Sequence, residues 1–176
     1  MNREYIFNTF NNYILDGISE GLNTLNQNSR TPVILCIGSD LVIGDCLGPL
    51  VGTFLKNSGI KSFIYGTLNA TVTAKEIEYA DFYIKSLHPE SFIIAIDAGV
   101  GKEEDVGLIK LTEGGIFPGK GVDKNFGEIG DVGIIGVVAS KSIKNYNLFN
   151  TTRFNLVYNM AEKIAEGIKR YINSLN

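Results

Sequence analysis

Cysteine, histidine and positive charge are scarce in this chain of 176 residues. Its two cysteines, Cys36 and Cys46, are too few for a disulfide framework or a zinc box, and a reducing cytoplasmic compartment is the simplest expectation. His88 is the one histidine. Chemistry built on a histidine base, or on several imidazole ligands, therefore has little to work with. Lys and Arg number 16 against 19 Asp and Glu. No basic stripe is present to neutralise phosphates, so direct nucleic-acid binding is not expected. No run of about 18 or more apolar residues occurs, which argues against a membrane helix. The N-terminus has no basic start, apolar block and small-residue site of the kind a secretory signal carries.

Hydrophobic residues make up 44% of the chain and charged residues 20%, the usage of a globular protein rather than a disordered one. The length suits one domain over residues 1–176, with no internal repeat. The expected parts are an N-terminal helix and linker over 1–30, an α/β core over 31–140 and a C-terminal helix over 150–175.

Apolar positions from Ile6 to Leu25 have helical spacing, so a helix is expected over 4–26. Its apolar face could serve the core or a homo-oligomer. Val33 to Ile37 is an unbroken apolar run, the pattern of a parallel strand buried on both faces. A helix follows over Leu47 to Asn57, then a strand over Ser62 to Leu68. Thr73 and Glu76 have capping-box spacing and open a further helix. Phe92 to Ile96 reads as a strand ending at Asp97. Val106 to Leu111 and Val132 to Ala139 are the last strands, separated by a glycine-rich stretch, and 151–174 is a long amphipathic helix. Strands that alternate with helices and have continuous apolar cores predict a three-layer α/β/α fold around a mostly parallel sheet.

In such sheets ligands bind beyond the carboxyl ends of the strands. Asp40 and Asp45 follow the first buried strand and Asp97 ends the third, so all three are expected at one rim. Asp45 also stands at a helix start, where an acid can be purely structural. Asp97 follows five apolar residues and should be desolvated. Desolvation and a neighbouring carboxylate both raise a carboxyl pKa. Two such groups can share a proton, one activating water while the other protonates the substrate. Left unprotonated, the same pair could hold a divalent cation. The loop from Gly38 to Gly44 matches neither nucleotide-binding glycine pattern, because Asp45 stands where a phosphate loop has lysine. His88, before Pro89, reads as a helix C-terminus or an exposed residue. Lys120, Asp123, Lys124 and Asp131, in the glycine-rich stretch, read as a solvated surface.

Several ordered segments resemble a known family. Leu35 to Pro49, with Gly-Ser-Asp and then Gly-Asp-Cys-Leu-Gly-Pro, is similar to a loop of the germination protease of endospore formers. Ile94 to Ala98 resembles that enzyme's second aspartate segment. Gly115 to Val122, followed by Asn125, is similar to its Gly-Ile-x-Pro-Gly-x-Gly-Val loop, and Gly133 to Val138 to the strand after it. The short length and Gly66-Thr67-Leu68 bring the chain nearer the YyaC-type sporulation proteins, which are described as spore proteases. The resemblance spans about residues 31–140.

It implies a phosphorylase/hydrolase-like, peptidase-like fold and a sporulation-associated endopeptidase of the forespore or mother cell, acting on a protein or peptide. Asp45 and Asp97 would be the catalytic pair. Asp40, Thr67, Asn69, Gly119, Lys120 and Gly121 would shape the substrate site, with no metal and no cofactor. A looser likeness to hydrogenase maturation proteases also matches Asp45 and Asp97. The histidine those enzymes use to read nickel has no counterpart, because His88 precedes Asp97 on the wrong side of its strand. The alternatives are a metal-dependent peptidase on the same carboxylates and a non-catalytic sporulation or regulatory binding protein.

Overall fold

The computed structural model describes residues 2–118, 127–141 and 152–175. Its elements, in chain order, are β1 (Glu4–Asn8), α1 (Ile14–Leu25), β2 (Pro32–Cys36), α2 (Leu47–Asn57), β3 (Phe63–Tyr65), α3 (Ile77–Leu87), β4 (Phe92–Gly101), β5 (Leu108–Glu113), β6 (Val132–Ser140) and α4 (Phe154–Ser174). Six strands form one sheet in the order β1-β5-β6-β4-β2-β3. β6, β4, β2 and β3 are mutually parallel, and only β5 runs against the rest. This is the expected three-layer α/β/α arrangement.

The central strands are continuous apolar runs because both faces of the sheet are covered. On one face Ile34, Cys36, Ile94 and Ile96 join a core with residues of α1, α2 and α4. On the other, Val33, Leu35, Ile93 and Ala95 pack with Ile77, Ala80 and Ile84 of α3. Among the described residues, no helix is long and apolar enough to cross a membrane.

The first segment departs from its expected helix. Glu4–Asn8 is an edge strand, antiparallel to β5, and α1 starts only at Ile14. Tyr5 and Phe7 are half-buried between exposed Glu4, Ile6 and Asn8, a period of two rather than 3.6. Ile6, Phe10 and Tyr13, counted above on a helical face, are in fact exposed. The side chains of Asn8 and Asn11 accept hydrogen bonds from the amides of Phe10 and Tyr13 at 3.0 and 2.9 Å, and these local turns break the helix. The apolar face of α1 is spent inside the molecule. Ile14, Ile18 and Leu22 are buried, and Gly167 of α4 leaves room for Ile18.

Three further boundaries shift. β4 does not stop at Asp97 but runs on to Gly101, paired with β6 over its last residues. α3 starts at Ile77 rather than Thr73. The Glu76 carboxylate accepts from the Thr73 amide at 3.0 Å and from its hydroxyl, which closes a turn ahead of the helix. β3 shrinks to three residues at the sheet edge.

Asp131 is not a solvated loop charge. Its carboxylate accepts from the Ile93 amide at 2.8 Å and from Arg30 at 2.9 Å. Arg30 also donates to the Ser91 carbonyl at 3.0 Å and lies over the Phe92 ring. This clasp ties the amino end of β4 to the segment before β2. His88 caps the C-terminus of α3, and its Nε2 is 2.9 Å from the Tyr65 hydroxyl.

Candidate functional site

The chain leaves β2, passes through α2 to β3 at the sheet edge, and returns through α3 on the opposite face to β4. β4 in turn continues through β5 to β6 on its other side, so the neighbouring strands β2 and β4 send their continuing chains in opposite directions along the sheet. Open α/β sheets bind ligands beyond the carboxyl ends of the strands at such a point. Asp45, on the turn after β2, and Asp97, on β4, stand at these ends.

Asp45 sits in a short 3-10 turn, Ile43–Cys46, that leads directly into α2. Two glycines allow this turn to close on the end of β2. Gly38 has φ +139°, and a Cβ there would stand 2.1 Å from the Asp45 carbonyl oxygen. A Cβ on Gly48 would stand 2.1 Å from the Ile37 carbonyl oxygen. The Ser39 amide donates to the Asp45 carbonyl at 3.0 Å and ties the two ends of the loop together. The half-buried carboxyl is raised by burial to about 6, with the Ser39 amide pulling the other way.

Asp97 is the sixth residue of β4 and lies opposite Ile135 of β6. Strand alternation puts it on the same face as Ile93 and Ala95, the face covered by α3. It keeps a small opening to solvent, yet the protein packed around it makes desolvation the largest influence on its carboxyl. That burial, then the Asp45 charge, lift its pKa to about 8, against the pull of the Ala98 amide, which donates to Oδ1 at 2.8 Å.

The other expected site residues differ in how close they come. Asp40 is exposed on the loop of Asp45, near enough for its charge to bear on Cys46. Thr67 is buried and exchanges backbone hydrogen bonds with Ala70, at 3.0 and 3.1 Å, so that Leu68 and Asn69 form the tip of a tight turn. Asn69 is exposed at that tip. The Thr53 hydroxyl of α2 accepts from the Leu68 amide at 2.9 Å, and the Gly38 amide donates to Val72 at 3.0 Å. These bonds bring the turn alongside the loop of Asp45. Gly119, Lys120 and Gly121 lie outside the described residues.

Cys46 is buried beside the acids, its sulfur 3.1 Å from the Ile43 carbonyl oxygen. Burial, and then the charge of Asp45, push its thiol up, which disfavours the thiolate a nucleophile needs. No group of three or more His, Cys, Asp or Glu with metal-ligand placement occurs among the described residues. Sequence reasoning missed the Ser39 and Ala98 amides, which hold the two acids, and the length of β4. A main-chain donor leaves no mark in side-chain identity.

Fold and site together define an α/β protein with two raised carboxyls at the switch point of its sheet. The chain belongs to the family DUF1256, described as a protein of unknown function, whose profile matches residues 2–167. It is also similar to Uncharacterized protein YyaC of Bacillus subtilis (strain 168), with 42% identity over 137 residues, 77% of this chain and 67% of that protein.

Proposed function

We propose that the protein is a sporulation-associated endopeptidase that hydrolyses peptide bonds with Asp45 and Asp97. What supports this reading is the placing of the two acids at the carboxyl ends of neighbouring strands, where burial lifts the Asp45 carboxyl to about 6 and burial with the Asp45 charge lifts that of Asp97 to about 8. At neutral pH such a pair holds one proton, mainly on Asp97, while Asp45 is mainly ionised.

This is the protonation state that hydrolysis by two carboxyls requires. Asp45 takes a proton from a water whose oxygen bonds to the amide carbon, and Asp97 gives its proton to the carbonyl oxygen. The result is a neutral gem-diol. Asp45 then protonates the nitrogen as the C–N bond breaks, and one diol proton returns to Asp97. Both side chains end as they began. Asp40, the Thr67–Ala70 turn and residues 119–121 would contact the peptide on either side of the bond. The sporulation setting rests on the resemblance of residues 31–140 to the germination protease and the YyaC-type proteins.

The test is incubation with a degenerate peptide pool, read by mass spectrometry, for the wild-type protein and for Asp45→Asn and Asp97→Asn. Cleavage by the wild type, lost by at least 100-fold in both variants with the fold retained, supports the reading. Cleavage undiminished in both variants overturns it. Activity abolished by a chelator and restored by a divalent cation would transfer the same carboxylates to a metal-dependent mechanism. Binding of peptides without turnover would leave a binding protein on this scaffold.

A further inference from the structure

Among the described residues, the sheet lacks a strand beside the end of β4 next to Asp97. β2 pairs with β4 only as far as Cys36 opposite Ile96, and the last bond across this seam runs from the Ile37 amide to the Ile96 carbonyl, at 2.8 Å. Beyond it the chain turns at Gly38, φ +139°, whose amide faces away from β4 and donates to Val72 at 3.0 Å. β4 continues for five more residues, Asp97 to Gly101, which among the described residues pair with β6 alone.

The main-chain hydrogen bonds of β4 settle which peptide groups face the vacated edge. Phe92 donates to Thr31 and Ile96 accepts from Ile37, both toward β2. Ile93 accepts from Asp131 and Gly101 accepts from Lys141, both toward β6. Even-numbered residues of β4 thus turn their N–H and C=O groups toward β2, and odd-numbered ones toward β6. Ala98 and Val100 continue the even series past the point where β2 ends. The Ala98 amide is taken by the adjacent Asp97 carboxylate. Among the described residues, the Ala98 carbonyl and both peptide groups of Val100 have no partner on this side. Ala98 and Val100 are half-buried, so solvent reaches them.

We infer that the open edge of β4 at Ala98 and Val100 receives the substrate as an added strand, so that the site takes an extended peptide rather than a folded surface. This rests on the endopeptidase reading and specifies its substrate class. A free strand edge supplies donors and acceptors at a fixed spacing, and an extended chain matches them through its main chain alone. The edge begins at the residue after Asp97, so a strand laid along it carries its peptide groups past the two acids. The 3-10 turn of Asp45, which packs against β4, borders the same gap. That loop exposes Leu41 and Ile43, and Leu68 is exposed on the neighbouring turn. These three side chains select an apolar residue in the bound strand.

The test uses the Asp45→Asn protein, expected to bind without turnover, and a pool of degenerate dodecapeptides carrying one fixed leucine. Amide hydrogen exchange at Val100 is expected to slow at least tenfold when peptide binds, while Gly99, turned toward β6, is unchanged. One binder from the pool is then N-methylated residue by residue. Strand addition predicts that affinity is lost at alternate positions. Val100→Pro removes an amide that the β6 ladder does not use, and should weaken binding at least tenfold without unfolding the protein. The N-methylation scan stands by itself if that variant fails to fold. Binding without a period of two and without change at Val100 overturns the inference, even where the wild type cleaves the same peptides. Absence of binding by every pool also overturns it. A period of two with no cleavage by the wild type keeps strand addition and removes the endopeptidase reading.

Discussion

The negative charge of Asp45 reaches Asp97 across the seam between β2 and β4 and favours a proton there. One acid comes from a turn closed on glycine, the other from the middle of a strand. Their environments separate their protonation, as the proposed roles of general base and general acid require.

If the proposed endopeptidase reading holds, peptide cleavage should be bell-shaped in pH, with limbs near 6 and 8. Rising pH first ionises Asp45 and creates the base. Rising further, it removes the proton from Asp97 and ends the acid step. The limbs belong to the pair rather than to either residue. A pH profile of peptide cleavage checks this, and a single plateau from pH 5 to 9 would contradict it.

The same shifts set a cost in stability. Both folded pKa values lie above the value of about 3.9 for an unfolded Asp. The contribution of each acid is thus fully present below about pH 4, and is lost as pH rises through about 6 for Asp45 and about 8 for Asp97. Asp97→Asn removes the larger part. It should stabilise the protein at pH 8 by about 2 kcal/mol, a figure discounted because Asp97 keeps some contact with solvent. At pH 4 the gain should vanish. Urea unfolding of the two proteins at both pH values measures the difference.

The layers of the fold were legible because Val33–Ile37, Phe92–Ile96 and Val132–Ala139 are apolar without interruption, a pattern that only a doubly covered sheet requires. The rim position of Asp45 and Asp97 followed from chain order alone. The first strand was not legible, since Tyr5 and Phe7 are too few to outweigh the apolar residues at Ile6, Phe10 and Tyr13. The overhang of β4 was hidden as well. Asp97 interrupts the apolar run, and Ala98-Gly99-Val100-Gly101 reads as a loop until β6 is seen beside it. Asp131 looked like a loop charge because its partners are a distant arginine and a main-chain amide.

The clasp at the far end of β4 should matter for stability and not for chemistry. Asp131→Ala leaves the Ile93 amide and Arg30 without their acceptor. Charge-assisted hydrogen bonds of this kind contribute about 1.5–3 kcal/mol, and the pair is only partly buried, so a loss of about 1–2 kcal/mol is expected. The pH profile of cleavage should keep its limbs, because Asp131 binds at the amino end of β4 and the acids stand at the carboxyl end. Thermal or chemical unfolding reads the first effect, and the kinetic pH profile reads the second.

Gly48→Ala tests whether the position of Asp45 depends on how closely α2 meets β2. The added methyl would stand 2.1 Å from the Ile37 carbonyl oxygen and 2.8 Å from the Ile37 nitrogen. Both are backbone atoms, and no rotamer change can relieve the contact. Because Ile37 is anchored to Ile96, the helix start has to move instead, and the turn carrying Asp45 moves with it. Overpacking of this kind costs about 1–3 kcal/mol. Displacing Asp45 away from Asp97 weakens the charge that helps hold the proton on Asp97. The upper limb of the pH profile should then shift below 8 in any folded Gly48→Ala protein, together with a fall in kcat. A variant that loses stability but keeps both limbs and the wild-type kcat would show that the turn adjusts independently of α2.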